Sequence, residues 1–203
     1  MAGSGKIALA YSGGLDTSVA VPWLIETYDA EVECVVVDVG QGLEDLDGIE
    51  ARAVAAGAVG CHVGDVRDAF VAEFSWPTLR AGAVYGRKYL LGTAMARPII
   101  AREVVRVARQ IGATGLSHGC TGKGNDQVRF ELTFAWLAPD LDVIAPWREW
   151  DIRGRKDAEE YARRAGVPLP PAKTSMYSRD RNVWHISHEG GPLVDPTTMP
   201  EQD

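Results

Sequence analysis

A junction between an apolar segment and a helical segment near the start of the chain limits the possible folds more than any other feature. Residues 7–11 are mostly apolar and lead directly into Ser12-Gly13-Gly14-Leu15-Asp16-Thr17-Ser18, after which a helical pattern begins. The first N–H groups of a helix have no partner within the helix, and the helix dipole is positive at that end. Glycines allow close backbone approach, and the three hydroxyls can donate hydrogen bonds. An ordinary helix cap needs only one hydroxyl or carboxylate residue, whereas this junction has several. The junction therefore predicts a phosphate site in a strand-turn-helix unit.

Two common phosphate-binding patterns do not match this junction. A Walker loop needs a glycine, four residues and then Gly-Lys-Ser/Thr, but no lysine lies between Lys6 and Arg52. The dinucleotide fingerprint needs three spaced glycines that open the helix, whereas the glycine pair here is followed by Leu-Asp-Thr-Ser. The junction is thus a phosphate site of another kind.

The rest of the chain alternates between strand-like and helix-like segments. We predict strands at 6–11, 32–38, 59–63, 115–118 and 142–145, and helices at 17–28, 43–56, 67–74, 98–111, 127–137 and 155–165. This alternation favours the α/β class, with a doubly wound, mainly parallel sheet covered by helices on both faces. Ligands of such sheets bind beyond the carboxyl ends of the strands, where Ser12, Asp38, Gly40 and the 118–124 loop are expected.

The length and the proline distribution suggest how the chain is divided. A chain of 203 residues suits one domain with a sizeable core, or one domain with an appendage. Prolines crowd the segment after Val167, so we expect it to be extended, draped or partly disordered rather than a packed layer. We assign 1–166 to a nucleotide-binding domain and 167–203 to an extended tail or the start of a truncated second domain.

Composition narrows the environment and the partners. The net charge of -7 argues against a nucleic-acid-binding surface. No apolar run is long enough to span a bilayer, and residues 1–5 lack a signal-peptide core, so we expect a cytoplasmic protein without a membrane partner. Cys34, Cys61 and Cys120 form no Cys-x-x-Cys pair, which favours buried thiols over a disulfide framework or a zinc site.

A second glycine-rich turn, from His118 to Glu131, follows another short strand. Asn125 and Asp126 suit the cap of the next helix, and Arg129 lies one turn later, near enough to reach the same ligand. Polar and charged side chains converge here at the edge where a doubly wound sheet binds its ligand. The alternative is purely structural: the glycines form a turn, Asn125 caps the helix, and Arg129 pairs with Glu131 or solvent.

These motifs together resemble a known enzyme family. The Ser12–Ser18 string resembles the pyrophosphate-binding loop of the ATP pyrophosphatases, which has the pattern Ser-Gly-Gly, one residue, Asp, one residue, Ser. The chain as a whole resembles the argininosuccinate synthases in five blocks: Ala10 to Ser18, Tyr89-Leu90-Leu91-Gly92-Thr93-Ala94-Met95-Ala96-Arg97-Pro98, His118 to Glu131, Ile144-Ala145-Pro146-Trp147-Arg148, and Arg181-Asn182-Val183-Trp184-His185-Ile186-Ser187. The blocks occur in the order and spacing of the family across nearly the whole chain.

The resemblance implies a fold, a reaction and roles for single residues. The implied fold is like that of the adenine nucleotide alpha hydrolases, and the implied reaction condenses citrulline with aspartate while ATP is cleaved to AMP and pyrophosphate in the presence of Mg²⁺. The ATP residues would be Ala10, Tyr11, Ser12, Gly13, Gly14, Leu15, Asp16, Thr17 and Ser18, with Val37 and Gly119 near the adenosine. The citrulline pocket would contain Tyr89, Thr93, Asn125, Arg129, Ser178 and Ser187, and aspartate would meet Thr121, Asn125 and Asp126. Asp16 and Lys123 are the candidate catalytic residues, and no metal ligand is assigned.

Two departures from the family keep other functions open. Many members have serine where this chain has Ala94, so a hydroxyl that would contact citrulline is absent. Members of the family also have a longer chain, whose second domain adds citrulline contacts and a tetramer interface. This chain would then be a nucleotide-binding domain of a longer protein, or a short homologue that works on another substrate, in a homo-oligomer or with a partner chain that supplies that domain. The alternatives are a short ATP pyrophosphatase that adenylates another ureido, amide or tRNA substrate, and a nucleotide-binding module without catalysis. His118, His185 and His188 lack metal-site spacing, so we expect structural hydrogen bonds from them.

Overall fold

The centre of the computed structural model is a five-stranded parallel sheet. The structure describes residues 5–42, 46–122, 124–168, 177–195 and 197–199. The strands are β1 (Lys6–Ala10), β2 (Glu31–Asp38), β3 (Gly60–Asp65), β4 (Gly115–His118) and β5 (Asp142–Ile144). Their order is β3-β2-β1-β4-β5, and every neighbouring pair is parallel. The five predicted strands are confirmed, with small differences at their ends.

Helices connect the strands and cover both faces of the sheet. They are α1 (Leu15–Tyr28), α2 (Ile49–Ala55), α3 (Arg67–Phe70), α4 (Trp76–Arg80), α5 (Gly92–Ile111), α6 (Asn125–Leu137), α7 (Pro146–Glu149) and α8 (Arg155–Arg164). A π-helical turn, Val71–Ser75, joins α3 to α4. The six predicted helices correspond to α1, α2, α3, α5, α6 and α8. Residues 43–45 of the second predicted helix lie outside the described residues.

The structure differs from the helix predictions at the start of α5 and at two short helices. Helix α5 begins at Gly92 rather than at residue 98, so Pro98 lies inside it. A proline at that position lacks one backbone N–H, but Gly92, Met95 and Ala96 are buried on the same helix, and tertiary packing overrides local propensity. The short helices α4 and α7 were not predicted; each has a proline in its first turn, where proline is well tolerated.

The central strand β1 is apolar and buried from Ile7 to Ala10 because both faces of the sheet are covered there. Ile7 and Leu9 of β1 belong to a core that α1, α2 and α8 complete. Ala8 and Ala10, which point to the opposite face, belong to a second core beneath α5 and α6. This arrangement confirms the doubly wound α/β prediction. None of the helices within the described ranges combines the length and the apolar character that a membrane crossing requires.

The described part of the C-terminal segment forms a small hairpin that packs on the domain. Strands β6 (Ser178–Arg181) and β7 (Ile186–Glu189) pair antiparallel. The Val183 N–H donates to the Val39 carbonyl at 2.9 Å, and the Gly92 N–H donates to His185 Nε2 at 2.8 Å. A lone hairpin is marginally stable, so these contacts stabilise it. The prolines led us to expect an extended, draped or partly disordered segment; residues 178–181 and 186–189 are extended strands paired in a hairpin, and 169–176, 196 and 200–203 lie outside the described residues.

The contact between Gly40 and Val183 allows a direct test of hairpin docking. Gly40 has φ 91°, and a β-carbon added there would lie 2.8 Å from the Val183 backbone nitrogen. We expect Gly40→Ala to displace the hairpin and to speed hydrogen exchange of the Val183 amide about tenfold or more. Amide exchange followed by NMR measures this rate.

Gly82→Ala is the matched control for this variant. Gly82 also has positive φ, 57°, but an added β-carbon would meet no atom within 4 Å. Both variants therefore carry the backbone cost of alanine at positive φ, and only Gly40→Ala carries the clash. Equal protection of the Val183 amide in the two variants would contradict the docking role of Gly40.

Candidate nucleotide and amino-acid site

The two glycine-rich turns meet at the point where the strand order of the sheet reverses. Strand β1 lies between β2 and β4, and Ala10 at its carboxyl end is in register with both Val35 and His118. The turn after β1 and the turn after β4 therefore leave the sheet side by side. Gly119 packs so closely that an added β-carbon would lie 2.6 Å from Thr17 Cγ2. This is the crevice in which doubly wound sheets bind ligands.

The backbone of the first turn has the geometry of an anion site. Gly13 has φ 71°, a conformation that favours glycine. Gly14 is the N-cap of α1 and is extended, with φ -78° and ψ 171°. Glycine has no side chain that could cap the helix, so the first N–H groups of α1 have no acceptor from a cap residue. An anion in the crevice would provide acceptors for them.

The three hydroxyls of this turn do not have equal roles. Ser12 is exposed, and its Oγ lies 3.2 Å from Thr17 Oγ1. The Thr17 hydroxyl also donates to the Gly14 carbonyl at 3.2 Å. Ser18 Oγ lies 2.9 Å from the Tyr11 hydroxyl in the core, where burial raises the pKa of Tyr11. Ser12 is thus the hydroxyl that is open to a ligand, while Ser18 stabilises the base of the turn.

The turn after β2 forms the other side of the crevice. Val37 is buried in β2, and its carbonyl accepts a hydrogen bond from Gln41 Nε2 at 3.0 Å. Asp38 Oδ1 accepts from the Gly40 N–H at 2.7 Å. These contacts give the turn a defined shape beside β1. Val37 and Gly119 therefore lie near the ends of the two strands that flank β1.

Arg97 links three elements around the second predicted pocket. Its Nε lies 2.9 Å from Asp126 Oδ2 on α6, and its Nη2 lies 2.5 Å from Asp180 Oδ2 on the hairpin. Asp126 also pairs with Arg129, at 2.6 Å. Burial lowers the pKa of Arg97, but Asp180 and Asp126 more than offset this effect, so the pKa is raised. The ion pairs of Arg97 therefore connect α5 to α6 and to the hairpin.

Other residues predicted for citrulline are connected to this region by direct contacts. Thr93 Oγ1 lies 3.2 Å from Ser187 Oγ, which joins α5 to β7. The Tyr89 hydroxyl accepts from the Ala94 N–H at 3.1 Å, and its ring packs edge-on against His185. Ser178 is exposed at the start of β6. The tertiary structure thus brings Tyr89, Thr93 and Ser187 together across a long stretch of sequence.

The residues predicted for aspartate surround the start of α6. Thr121 and Asn125 are exposed, and Asp126 is held by the two arginines. Asn125 and Asp126 are not the caps that the sequence suggested. The N-cap is Gly124, which is extended and leaves Asn125 as the first helical residue. Arg129 pairs with Asp126 rather than with Glu131. Lys123 lies outside the described residues.

His118 stabilises the turn after β4 from within the core. Its Nδ1 accepts from the Cys120 N–H at 3.3 Å, and its Nε2 lies 3.3 Å from Glu131 Oε1. Burial lowers the pKa of His118, and the ring stacks on Phe130. The role is structural, as expected from the sequence. Among the described residues, no three His, Cys, Asp or Glu side chains lie together as a metal-ligand set.

The cysteines are free thiols in the structure. Cys34 is buried, and Cys61 and Cys120 are partly buried. Burial raises the pKa of Cys61 to about 11 and that of Cys120 to about 12. They are therefore poor nucleophiles at neutral pH.

Sequence reasoning missed two residues of this site. Arg97 stood inside a recognised block but was given no role, and Asp180 was not considered. Their ion pair joins positions 83 residues apart, so no local pattern indicates it. The one available signal was an arginine on the apolar side of a helix, between buried Ala96 and Ile99.

The strand order and the glycine turn at its reversal define a class of protein. They are those of a HUP-type α/β domain. Two solved structures support this fold. NMN synthetase from Francisella tularensis has a TM-score of 0.53 and 14% identity, and the match covers 82% of this chain and 63% of that chain. The U34-tRNA thiolase NcsA from Methanococcus maripaludis has a TM-score of 0.51 and 16% identity, and the match covers 84% of this chain and 60% of that chain. At such low identity the likeness concerns the fold alone.

Comparison of sequences gives the family. Residues 6–168 match the family model described as the Arginosuccinate synthase N-terminal HUP domain. The chain is 61% identical over 198 residues to the chloroplastic argininosuccinate synthase of Arabidopsis thaliana and 58% identical over 198 residues to the argininosuccinate synthase of Aliivibrio salmonicida. It belongs to the argininosuccinate synthase family. The alignments cover 98% of this chain but 40% and 49% of those relatives, so the chain spans about half of their length or less.

The two neighbouring glycines of the first turn should respond differently to substitution. Gly13→Ala places a β-carbon at positive φ and 3.0 Å from Ile49 Cγ1, so we expect it to lower the free energy of unfolding by about 1–2 kcal/mol. Gly14→Ala has an ordinary φ and meets only Ser12 Oγ, at 3.4 Å. We expect it to leave stability unchanged and to weaken ATP binding about tenfold or more, because a methyl group hinders close approach of phosphate.

Urea denaturation and titration calorimetry with ATP measure the two effects separately. Unchanged ATP affinity in Gly14→Ala would contradict the assignment of this turn as the phosphate site. Unchanged stability in Gly13→Ala would show that the Gly13 conformation relaxes at little cost.

Loss of Arg97 should destabilise the whole site. Arg97→Met removes the cation between Asp126 and Asp180, and we expect a loss of roughly 3 kcal/mol in the free energy of unfolding because the partly buried Asp180 loses this partner and Asp126 keeps only Arg129. Adding Asp180→Asn to this variant should restore part of the loss. Arg109→Met is the control, since its ion pair with Asp140 is exposed and should contribute little. If Arg97→Met were no more destabilising than Arg109→Met in urea denaturation, the linking role would be wrong.

Proposed function

We propose that this chain carries the nucleotide-binding part of an ATP-dependent carbon-nitrogen ligase that joins citrulline and aspartate to form argininosuccinate. The observation that supports this best is the contact between the two glycine-rich turns, where Gly119 packs on Thr17. Because of this contact the turn before α1 and the start of α6 border one crevice, and this supports the proposed phosphate, aspartate and citrulline roles. A reaction that transfers AMP from ATP to an amino-acid substrate needs the nucleotide and amino-acid binding regions to be adjacent.

The proposed reaction has two steps. The ureido oxygen of citrulline attacks the α-phosphorus of ATP, and the bond to the β-phosphate breaks, which releases pyrophosphate. The aspartate amine then attacks the ureido carbon, AMP leaves, and the nitrogen loses a proton. Positioning and charge neutralisation serve this chemistry, and a catalytic triad is not needed.

The ATP residues would act mainly through the first turn. Ala10 to Ser18 would surround the triphosphate, with the N–H groups of α1 toward the departing pyrophosphate, and Val37 and Gly119 would border the adenosine. Asp16 is the acidic residue in the first turn of α1. A carboxylate beside a phosphate site fits Mg²⁺, which is commonly held by one or two carboxylates together with substrate phosphates and would neutralise phosphate charge. We propose that the ammonium group of Lys123 also neutralises phosphate charge.

The amino-acid residues would act through the region around Arg97. Tyr89, Thr93, Arg129, Ser178 and Ser187 would contact citrulline, and Thr121 and Asp126 would contact aspartate, with Asn125 between the two substrates. A carboxylate such as Asp126 suits the ammonium group of aspartate. The methyl group of Ala94 cannot donate to citrulline, so we propose weaker binding of citrulline than in relatives with serine there.

Assembly and location form part of the proposal. Because the chain spans about half or less of its relatives, we propose that the remaining citrulline contacts come from a longer form of the chain, a partner chain or a second copy. Three free thiols support a reducing compartment such as the cytoplasm. We propose no nucleic-acid partner and no membrane partner.

Product analysis tests the proposed function. The protein is incubated with ATP, Mg²⁺, citrulline and aspartate, each amino acid is omitted in turn, and the products are measured by mass spectrometry. We expect pyrophosphate release to require citrulline and argininosuccinate to require both amino acids, and we expect Asp16→Asn to abolish both signals. Arg155→Gln, an exposed change on α8, is the control.

Other outcomes would select a different function. Pyrophosphate release with another ureido or amide compound, and not with citrulline, would favour a different substrate, for which Ala94 gives a physical reason. ATP binding without turnover under every amino-acid pair would identify a nucleotide-binding module that needs a partner chain.

A further inference from the structure

Arg52 of α2 extends toward the phosphate turn. A β-carbon added to Gly13 would lie 3.2 Å from Arg52 Nη2, so the guanidinium packs directly on the turn. Its Nη1 donates to the Asp47 carbonyl at 2.8 Å, which directs the group to this position. The side chain is partly buried against the domain.

The charge of Arg52 is not balanced by a carboxylate. Within the described parts of the chain, no Asp or Glu oxygen lies within 4.0 Å of its guanidinium nitrogens, and its buried Nε has no hydrogen-bond acceptor. Arg97 and Arg129, which are also partly buried, both pair with carboxylates. A buried donor without an acceptor is costly, and α1 presents the positive end of its dipole to the same turn. An anion bound in this place would therefore be favourable.

We infer that Arg52 binds the pyrophosphate portion of ATP and holds the pyrophosphate that the reaction releases. The inference rests on the proposed function, because it adds a residue to the same phosphate site. Nη2 makes no hydrogen bond to any described residue, so it is available to a ligand. The planar guanidinium fork matches phosphate oxygens, and charge-assisted hydrogen bonds of this kind are among the strongest in proteins.

Binding of two fragments of ATP tests this inference. Inorganic pyrophosphate and AMP are titrated separately into the protein by calorimetry. We expect Arg52→Gln to weaken pyrophosphate binding about tenfold or more, and to change AMP affinity less than about twofold. Arg52→Lys keeps the charge but loses the fork, so it should lie between the wild type and Arg52→Gln. Arg80→Gln, an exposed change at the end of α4, should bind both ligands like the wild type.

Thermal unfolding separates this role from a structural one. Arg52→Gln removes an unbalanced cation, so the Tm without ligand should not fall, while the rise in Tm on adding pyrophosphate should shrink. Equal pyrophosphate affinity in Arg52→Gln and wild type would overturn the inference. So would a parallel loss of AMP and pyrophosphate binding with a lowered Tm, because that pattern indicates damage to the fold. A folded wild type that binds neither ATP nor pyrophosphate would overturn the proposed function itself, and the inference with it.

Discussion

The contact of Gly119 with Thr17 is the constraint on which the rest of the site depends. It exists because β1 and β4 are neighbours in the sheet although more than one hundred residues separate them in the chain. A side chain at residue 119 would force the two turns apart. With glycine there, the N-terminus of α1 and the turn that leads to α6 share one crevice. The residues proposed for phosphate and those proposed for the amino acids therefore border the same crevice.

Charge holds the remaining elements around this crevice. Arg97 pairs with Asp126 and Asp180 and so connects α5, α6 and the hairpin, while the Val39 carbonyl and the Gly92 N–H bind the hairpin turn. Arg52 differs from Arg97 because no carboxylate of the described residues balances it. The balanced arginine stabilises the fold, and the unbalanced one is placed for an anionic ligand.

Much of the fold followed from local patterns. Apolar strand segments and the glycine turn predicted the parallel sheet, because those patterns depend on residues that are near one another in sequence. Helix starts were less accurate. Helix α5 was expected to begin at Pro98 and Asn125 was expected to be a cap, but burial of Met95 and the extended Gly124 determined where the helices begin. The hairpin was missed because its stability comes from docking rather than from its own strands.

The sequence by itself determined the class of fold and the family to which the chain belongs, and it predicted the phosphate turn, because each depends on short motifs with fixed spacing. Only the tertiary structure showed that Arg97 connects two aspartates, that Ser18 binds Tyr11 rather than facing the crevice, and that Arg52 lies unbalanced on Gly13. The physical reason is the same in each case. Whether a charge or a hydroxyl has a partner depends on residues that are distant in sequence and are brought together by packing of the sheet and helices.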